Sequence, residues 1–310
     1  MYIILGIILF IIVSFLISHF IVIYYIFTRF FKRFSDDYIS KVNDKDPTYD
    51  KLRSEINSAT ERIKKLDIKE VSVTSFDNLK LAGKYIDKGN DKVVILFQGV
   101  HSNIFHTFSI IAERFLLEGY NVLFIHQRTH GPSEGKYITY GKKESKDVLS
   151  WIDFADKELN VKEIYLYGVS MGATSLCLAS EHISNPKVKG LVIDSPFTSI
   201  NALVSHLTSS KHIPSFLFLG GVKFLAKHLA DVSFDDFDTA ESIKSNKIPA
   251  FFVYGDADIV VTKDFLFDNY NNCSSIKEEL IIKDAAHTLA MPVGGEEAFQ
   301  KMFKFLKENK

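Results

Sequence analysis

The chain of 310 residues is long enough for one large α/β domain with a short appendage, or for two small domains. Its hydrophobic fraction, 46%, is ordinary for a globular protein once the N-terminus is set apart, and a net charge of -1 excludes the basic balance of a nucleic-acid binder. Two cysteines, Cys177 and Cys273, do not make a disulfide framework or a zinc site.

From Met1 to Thr28 no side chain carries a formal charge apart from the titratable His19. As a helix the run Tyr2 to Phe27 would extend about 39 Å, enough to cross a bilayer with some tilt. A cleaved signal peptide would need a basic start, a shorter apolar run and a small-residue cleavage site, so an uncleaved transmembrane anchor is the reading. Arg29, Lys32 and Arg33 follow the run and place its C-terminal flank in the cytoplasm by the positive-inside rule, giving a single-pass protein of the cell membrane. His19 reads as a neutral group packed against a partner.

Residues 34–67 are polar, with Tyr49, Leu52, Ile56, Ala59, Ile63 and Leu66 at helical spacing and Asp46-Pro47 as a cap. They predict an amphipathic helix packed on the domain that follows. Strands Glu70–Ser75 and Lys80–Ile86 flank Asp77-Asn78 as a hairpin. Beyond Lys92 the chain alternates: strand Val93–Phe97, helix His106–Glu118, strand Asn121–His126, helix Lys143–Glu158 and strand Val161–Tyr167. Later strands are Lys189–Asp194, Ala250–Tyr254 and Glu278–Lys283, and later helices Lys263–Tyr270 and Glu296–Glu308. Continuous apolar strands alternating with helices predict an α/β fold with a mostly parallel sheet covered on both faces. Between Pro196 and Ile248 the rhythm breaks into apolar helical stretches, Ala202–Leu207 and Phe216–Leu229, the second interrupted by Gly220-Gly221; an insertion there forms a lid. The chain thus divides into an anchor (1–31), a linker helix (32–67) and a main domain (68–310) with its lid at about 197–247.

Gly168-Val169-Ser170-Met171-Gly172 lies between a β-prone run and a helix-prone one. A strand running through G-x-S-x-G into a helix is a nucleophile elbow, with Gly168 and Gly172 permitting the tight turn and Ser170 presented at a helix N-terminus. A serine nucleophile needs a base, and the base an orienting acid. Both emerge in the expected order from strand ends: Asp256 or Asp258 in Gly255-Asp256-Ala257-Asp258, then His287 after Asp284-Ala285-Ala286. The oxyanion hole is expected from the N–H of Met171 and that of Val100, in the loop Gln98-Gly99-Val100-His101. His126 and His130 straddle a strand end and a loop, without a third ligand at sensible spacing, so no metal is expected. His101 and His106 read as surface or capping groups, with pocket lining as the alternative, and His206, His212 and His228 as solvated.

These residues, with Gln127–Gly135, Asp194–Ser199 and Gly255–Asp258, resemble the α/β-hydrolase superfamily over about residues 70–308. The likeness is to membrane-anchored serine hydrolases of the branch that also holds serine aminopeptidase-like and acylaminoacyl-peptidase-like enzymes. It implies the α/β-hydrolase fold, a Ser170–Asp258–His287 triad with Asp258 preferred to Asp256, and no cofactor. Gln98 departs from the family's usual histidine and His126 from a usual acid. The expected substrate is a small-molecule or lipid-like acyl ester. The alternatives are a peptidase using the same triad, with Asp235, Asp236 and Glu241 as candidates for the peptide amine, and a non-catalytic tethered binding scaffold.

Overall fold

The computed structural model describes residues 2–35, 49–210 and 214–310. The expected cap at Asp46-Pro47 and the lid residue His212 lie outside them. In chain order the elements are α1 (Tyr2–Phe31), α2 (Arg53–Lys64), β1 (Lys69–Thr74), β2 (Lys80–Ile86), β3 (Lys92–Phe97), α3 (Ile104–Leu117), β4 (Asn121–Ile125), α4 (Glu144–Glu158), β5 (Glu163–Val169), α5 (Met171–Ala179), β6 (Val188–Asp194), α6 (Ile200–Ser210), α7 (Leu219–Leu225), α8 (Thr239–Ser242), β7 (Ala250–Gly255), α9 (Lys263–Asn272), β8 (Lys277–Ile282) and α10 (Ala290–Glu308).

The strands form one sheet in the order β1-β2-β4-β3-β5-β6-β7-β8, antiparallel at β1-β2 and β2-β4 and parallel from β4 onward. Helical crossovers return the chain to the same edge each time, so the C-terminal ends of β3, β5, β6, β7 and β8 share one rim. The apolar strands supply both faces. Val94, Leu96, Tyr167 and Val253 pack against α2, α3 and α10, and Ile95, Phe97, Leu166 and Phe252 against α4, α5 and α9. Ile56, Ala59 and Ile63 of α2 are buried in the first of these layers, and the Arg62 guanidinium makes two bonds to the Glu113 carboxylate of α3.

Helix α3 starts earlier than its apolar spacing predicts because Asn103 caps it, its Oδ1 accepting from the Phe105 and His106 N–H groups. Helix α10 begins at Ala290 rather than Glu296, bending at Gly295, whose φ is 57°. The segment expected to form the lid comprises α6, α7, a π turn at Ala226–Ala230 and α8. Gly220-Gly221 does not interrupt its second helix; α7 begins at Leu219 and runs through both. At Gly221 the reason is close packing, since a Cβ there would stand 2.5 Å from Ile23 Cδ1 of α1.

That contact is one of many. Ile23, Phe27 and Phe31 are buried in the same apolar cluster as Tyr140, Leu203, Val222 and Phe234. The Ile138 N–H donates to Phe31 O, the Tyr140 hydroxyl donates to Phe30 O at 2.9 Å, and Arg33 donates to the Ser133 and Gly131 carbonyls. The last turns of α1 are therefore part of the main domain's packing. Helix α1 as a whole is long and apolar enough to cross a membrane, and its residues before Ile23 are almost wholly exposed. His19 stacks between Phe15 and Phe218.

Candidate active site

Ser170 sits between β5 and α5 with φ 54° and ψ −118°, outside the ordinary helical and extended regions. The conformation survives because its surroundings dictate it. The Ser170 N–H donates to Asp194 O at 2.8 Å, and the turn is too tight for side chains on either side. A Cβ on Gly172 would lie 1.9 Å from Phe97 O, and one on Gly168 would lie 2.6 Å from the Gly172 carbonyl.

Three strand ends bring the predicted polar groups together. His287 Nε2 is 3.0 Å from Ser170 Oγ, and His287 Nδ1 is 2.6 Å from Asp258 Oδ2. The other Asp258 oxygen accepts from the Val260 and Val261 N–H groups at 2.8 and 2.9 Å, so both oxygens of this buried carboxylate are held. Asp256 is placed elsewhere. Its Oδ1 accepts from the Asp284 N–H at 2.6 Å, tying the loop that carries His287 to the end of β7.

Val100 shares a cavity wall with Ser170, and Met171 follows the serine in the chain. Helix α5 begins at Met171, so its first N–H groups have no intrahelical acceptor, and a Cβ on Gly99 would meet Ser170 Cβ at 3.2 Å. The Val100 loop is held by a bond the sequence did not indicate: His101 N–H donates to His130 Nε2 at 2.9 Å. His130 Nδ1 lies 3.0 Å from Arg128 O, which assigns the ring proton to Nδ1 and leaves Nε2 free to accept. His101, with φ 49°, lines the serine pocket and stacks edge-on against Phe34, so it is neither a surface nor a capping group. Burial and the neighbouring His130 push its pKa down to about 4. Among the described residues the buried Gln98 side chain has no hydrogen-bond partner, though the Gln98 backbone carbonyl accepts from Gln127 Nε2.

The cavity above Ser170, about 110 Å³, is walled by Gly99, Val100, His101, Val169, His287 and Thr288, and by Tyr49 from the segment before α2. The Tyr49 hydroxyl lies 3.1 Å from Thr288 Oγ1. Its place is a finding of the fold, since helical spacing marks Tyr49 only as an apolar face residue. His106 stands outside this cavity and packs on Tyr49. His206 is partly exposed and bonds the Ile259 carbonyl at 3.0 Å, and His228 is exposed. Among the described residues, no three of His, Cys, Asp and Glu form a metal-holding group.

Behind the site, the Arg128 guanidinium bonds both oxygens of Asp147 at 2.7 Å and both of Asp77 at 3.0 and 3.1 Å. Burial opposes the Arg128 charge, but these bonds outweigh it and hold the pKa above its ordinary value. Ser133 Oγ donates to His126 O and accepts from Ala82 N–H, pinning the loop through backbone groups where the family's usual acid is missing.

Asp194 is fully buried, its oxygens accepting from Ser195 Oγ at 3.0 Å and the Tyr167 hydroxyl at 3.1 Å. Burial pushes its pKa up to about 6 against the pull of both bonds. The native state thus holds this proton more tightly than the unfolded chain, whose ordinary value is 3.8. The resulting stability is complete below about pH 4 and is lost as pH rises through 6. Asp194→Asn is expected to gain on the wild type by about 2 kcal/mol between pH 4 and pH 7.5. Urea titrations at the two pH values measure this; an equal difference at both would exclude a buried proton at Asp194.

Comparison with known proteins agrees with the fold. Residues 88–227 match the family described as serine aminopeptidase, S33. The Pyrococcus furiosus esterase Pf2001 superposes with a TM-score of 0.66 at 28% identity, covering 80% of this chain and 94% of that one. Pyrococcus horikoshii acylaminoacyl peptidase shares the fold with a TM-score of 0.56 at 16% identity, over 80% of this chain and 43% of its own. The uncharacterized protein YqkD of Bacillus subtilis is 29% identical over 137 residues, which are 43% of this chain and 44% of YqkD. The match thus spans less than half the length of that curated relative. The chain has the α/β-hydrolase fold. The matched family is described as a serine aminopeptidase, and Pf2001 as an esterase.

Proposed function

We propose that the chain is a membrane-anchored serine hydrolase that cleaves carboxylic esters through an acyl-enzyme on Ser170. The observation that carries this reading is the unbroken hydrogen-bonded line from Ser170 Oγ through His287 to the buried Asp258. His287 Nε2 takes the hydroxyl proton as Ser170 Oγ attacks the substrate carbonyl, while Asp258 holds the imidazole with Nδ1 protonated. The Met171 and Val100 N–H groups receive the developing oxyanion. The tetrahedral intermediate collapses to the acyl-enzyme as imidazolium returns its proton to the leaving alkoxide. Water, deprotonated by His287, then attacks the acyl carbonyl, and the acid departs as Ser170 regains its proton. No step calls for a metal or an organic cofactor.

An ester rather than a peptide substrate is favoured by two things. Pf2001 is named an esterase and covers most of this chain. The acids considered for binding a peptide amine are also occupied or remote: Asp236 pairs with Lys142 at 2.9 Å, Glu241 with Lys244 at 2.6 Å, and neither these nor Asp235 wall the Ser170 cavity. Helix α1 serves as the anchor, and Arg29, Lys32 and Arg33 at its end favour a cytoplasmic catalytic domain in the cell membrane. Residues 197–247 act as the lid.

The test is labelling of the full-length chain in detergent by a fluorophosphonate probe, beside p-nitrophenyl acyl esters and aminoacyl p-nitroanilides as substrates. The expected result is stoichiometric labelling that disappears in Ser170→Ala, with ester turnover well ahead of anilide turnover. A folded wild type that resists the probe would point to the binding scaffold, and faster anilide cleavage to a peptidase.

A further inference from the structure

We infer that the lid is itself a membrane-inserted element, lying in the leaflet crossed by the C-terminal half of α1, so that the bilayer covers the apolar surface of residues 214–224. The inference rests on the reading of α1 as a membrane span and goes beyond it.

The lid touches α1 well before its charged C-terminal end. Phe218 stacks on His19 with ring centroids 5.7 Å apart, and Gly221 lies against Ile23. These are positions far up the helix, at least six residues before the first charged side chain, Arg29. On the faces turned away from the lid, Phe20, Ile21, Tyr24 and Tyr25 are exposed at the same height. An apolar belt of this kind on a spanning helix needs lipid around it.

Helix length gives the same answer. If the leaflet stopped short of the lid, only residues 2–18 would remain inside it, about 17 residues or roughly 26 Å, less than a hydrocarbon core of about 30 Å. If lipid extends to Arg29, the apolar run is sufficient and the level of His19 lies roughly 15 Å deeper than that arginine. Whatever packs on His19 and Ile23 then lies in lipid too.

The lid's own residues fit this position. Residues 214–222 carry no charge. Phe216 is 81% exposed and Phe224 61%, with Leu217 and Leu229 also on the surface. Such a concentration of large apolar side chains is costly in water and favourable in an acyl-chain environment. Lys227 and His228, at the far end of this stretch, are exposed where headgroups would meet them. Between α1 and the lid runs an apolar cavity of about 160 Å³, walled by Ile26, Phe30, Phe218, Leu219, Val222 and Phe234 among others. A seam of this composition is compatible with lipid on its outer side.

The experiment uses the full-length chain in phosphatidylcholine vesicles. Its single tryptophan, Trp151, is buried in the main domain and supplies a constant background. Phe216→Trp and Phe224→Trp report on the lid, Phe10→Trp on α1, and Leu117→Trp, exposed on α3, on the aqueous side. All four positions are on the surface, so folding is not at risk. With lipids brominated along the acyl chains, the added emission of the lid and α1 reporters should fall by more than half, while the Leu117→Trp signal is unchanged. Quenching at position 10 but not at 216 or 224 overturns the inference and leaves the anchor standing. A lid signal that is blue-shifted yet unquenched means a second protein copy covers the lid, which also overturns it. Absence of quenching at position 10 removes the anchor reading and the inference together.

Discussion

Asp258→Asn is expected to lower kcat for ester hydrolysis about 10³ to 10⁴-fold, with the thermal midpoint little changed. The reason lies in how the two carboxylate oxygens are used. Oδ1 is committed to the Val260 and Val261 N–H groups, which fixes the oxygen end of an asparagine there and turns its NH₂ toward His287. That NH₂ cannot accept from Nδ1 at 2.6 Å, so the ring is driven to carry its proton on Nε2, where Ser170 needs an acceptor. Asp256→Asn is expected to cost only a few-fold, since that side chain acts on the loop through the Asp284 N–H and does not reach the imidazole. Steady-state kinetics on both variants separate the two acids. A collapse of activity in Asp256→Asn with near-normal turnover in Asp258→Asn would exchange their roles.

Much of this arrangement is legible in the chain because it rests on short-range signals. Strands β3 through β7 are apolar runs bounded by polar residues, and the parallel sheet follows from their alternation with helices. The elbow is marked by two glycines that the turn cannot do without. Asp258 and His287 can be found because a strand end precedes each. The pairings hidden from sequence are long-range or lie in uniform surroundings. Nothing marks His130 as the acceptor for the His101 N–H, 29 residues away. Tyr49 and Thr288 meet across 239 residues. The docking of α1 is hidden for another reason. In a run where nearly every residue is Ile, Leu, Phe, Val or Tyr, the stripe Ile23-Phe27-Phe31 at i, i+4 spacing has no polar background to stand out against.

That docking makes α1 a structural part of the main domain, and Phe27→Ala or Phe31→Ala is expected to destabilise it by about 3 to 5 kcal/mol each. Both rings are essentially inaccessible, stacked on each other at 5.3 Å, with Phe31 edge-on to Tyr140 at the same distance and beside Phe234 at 6.0 Å. Removing either leaves a cavity between α1 and the lid that rigid helices close poorly. Because the loss falls on one cluster, the lid should open before the sheet does. Hydrogen exchange would then rise in residues 200–234 while β3 to β7 stay protected, and Phe10→Ala, at an exposed position of the same helix, should change neither. Catalysis should follow the same path. Phe34, just past the helix, stacks on His101, and Arg33 holds the Gly131 and Ser133 carbonyls of the loop that includes His130. A fragment beginning at residue 34 loses Arg33 and all of α1, leaving the Val100 loop with fewer restraints and the lid with an uncovered apolar face. Its fluorophosphonate labelling rate should fall at least about tenfold below that of the full-length chain in detergent, since oxyanion donors act through their placement. Equal labelling rates and equal exchange in residues 200–234 would mean that α1 contributes tethering alone.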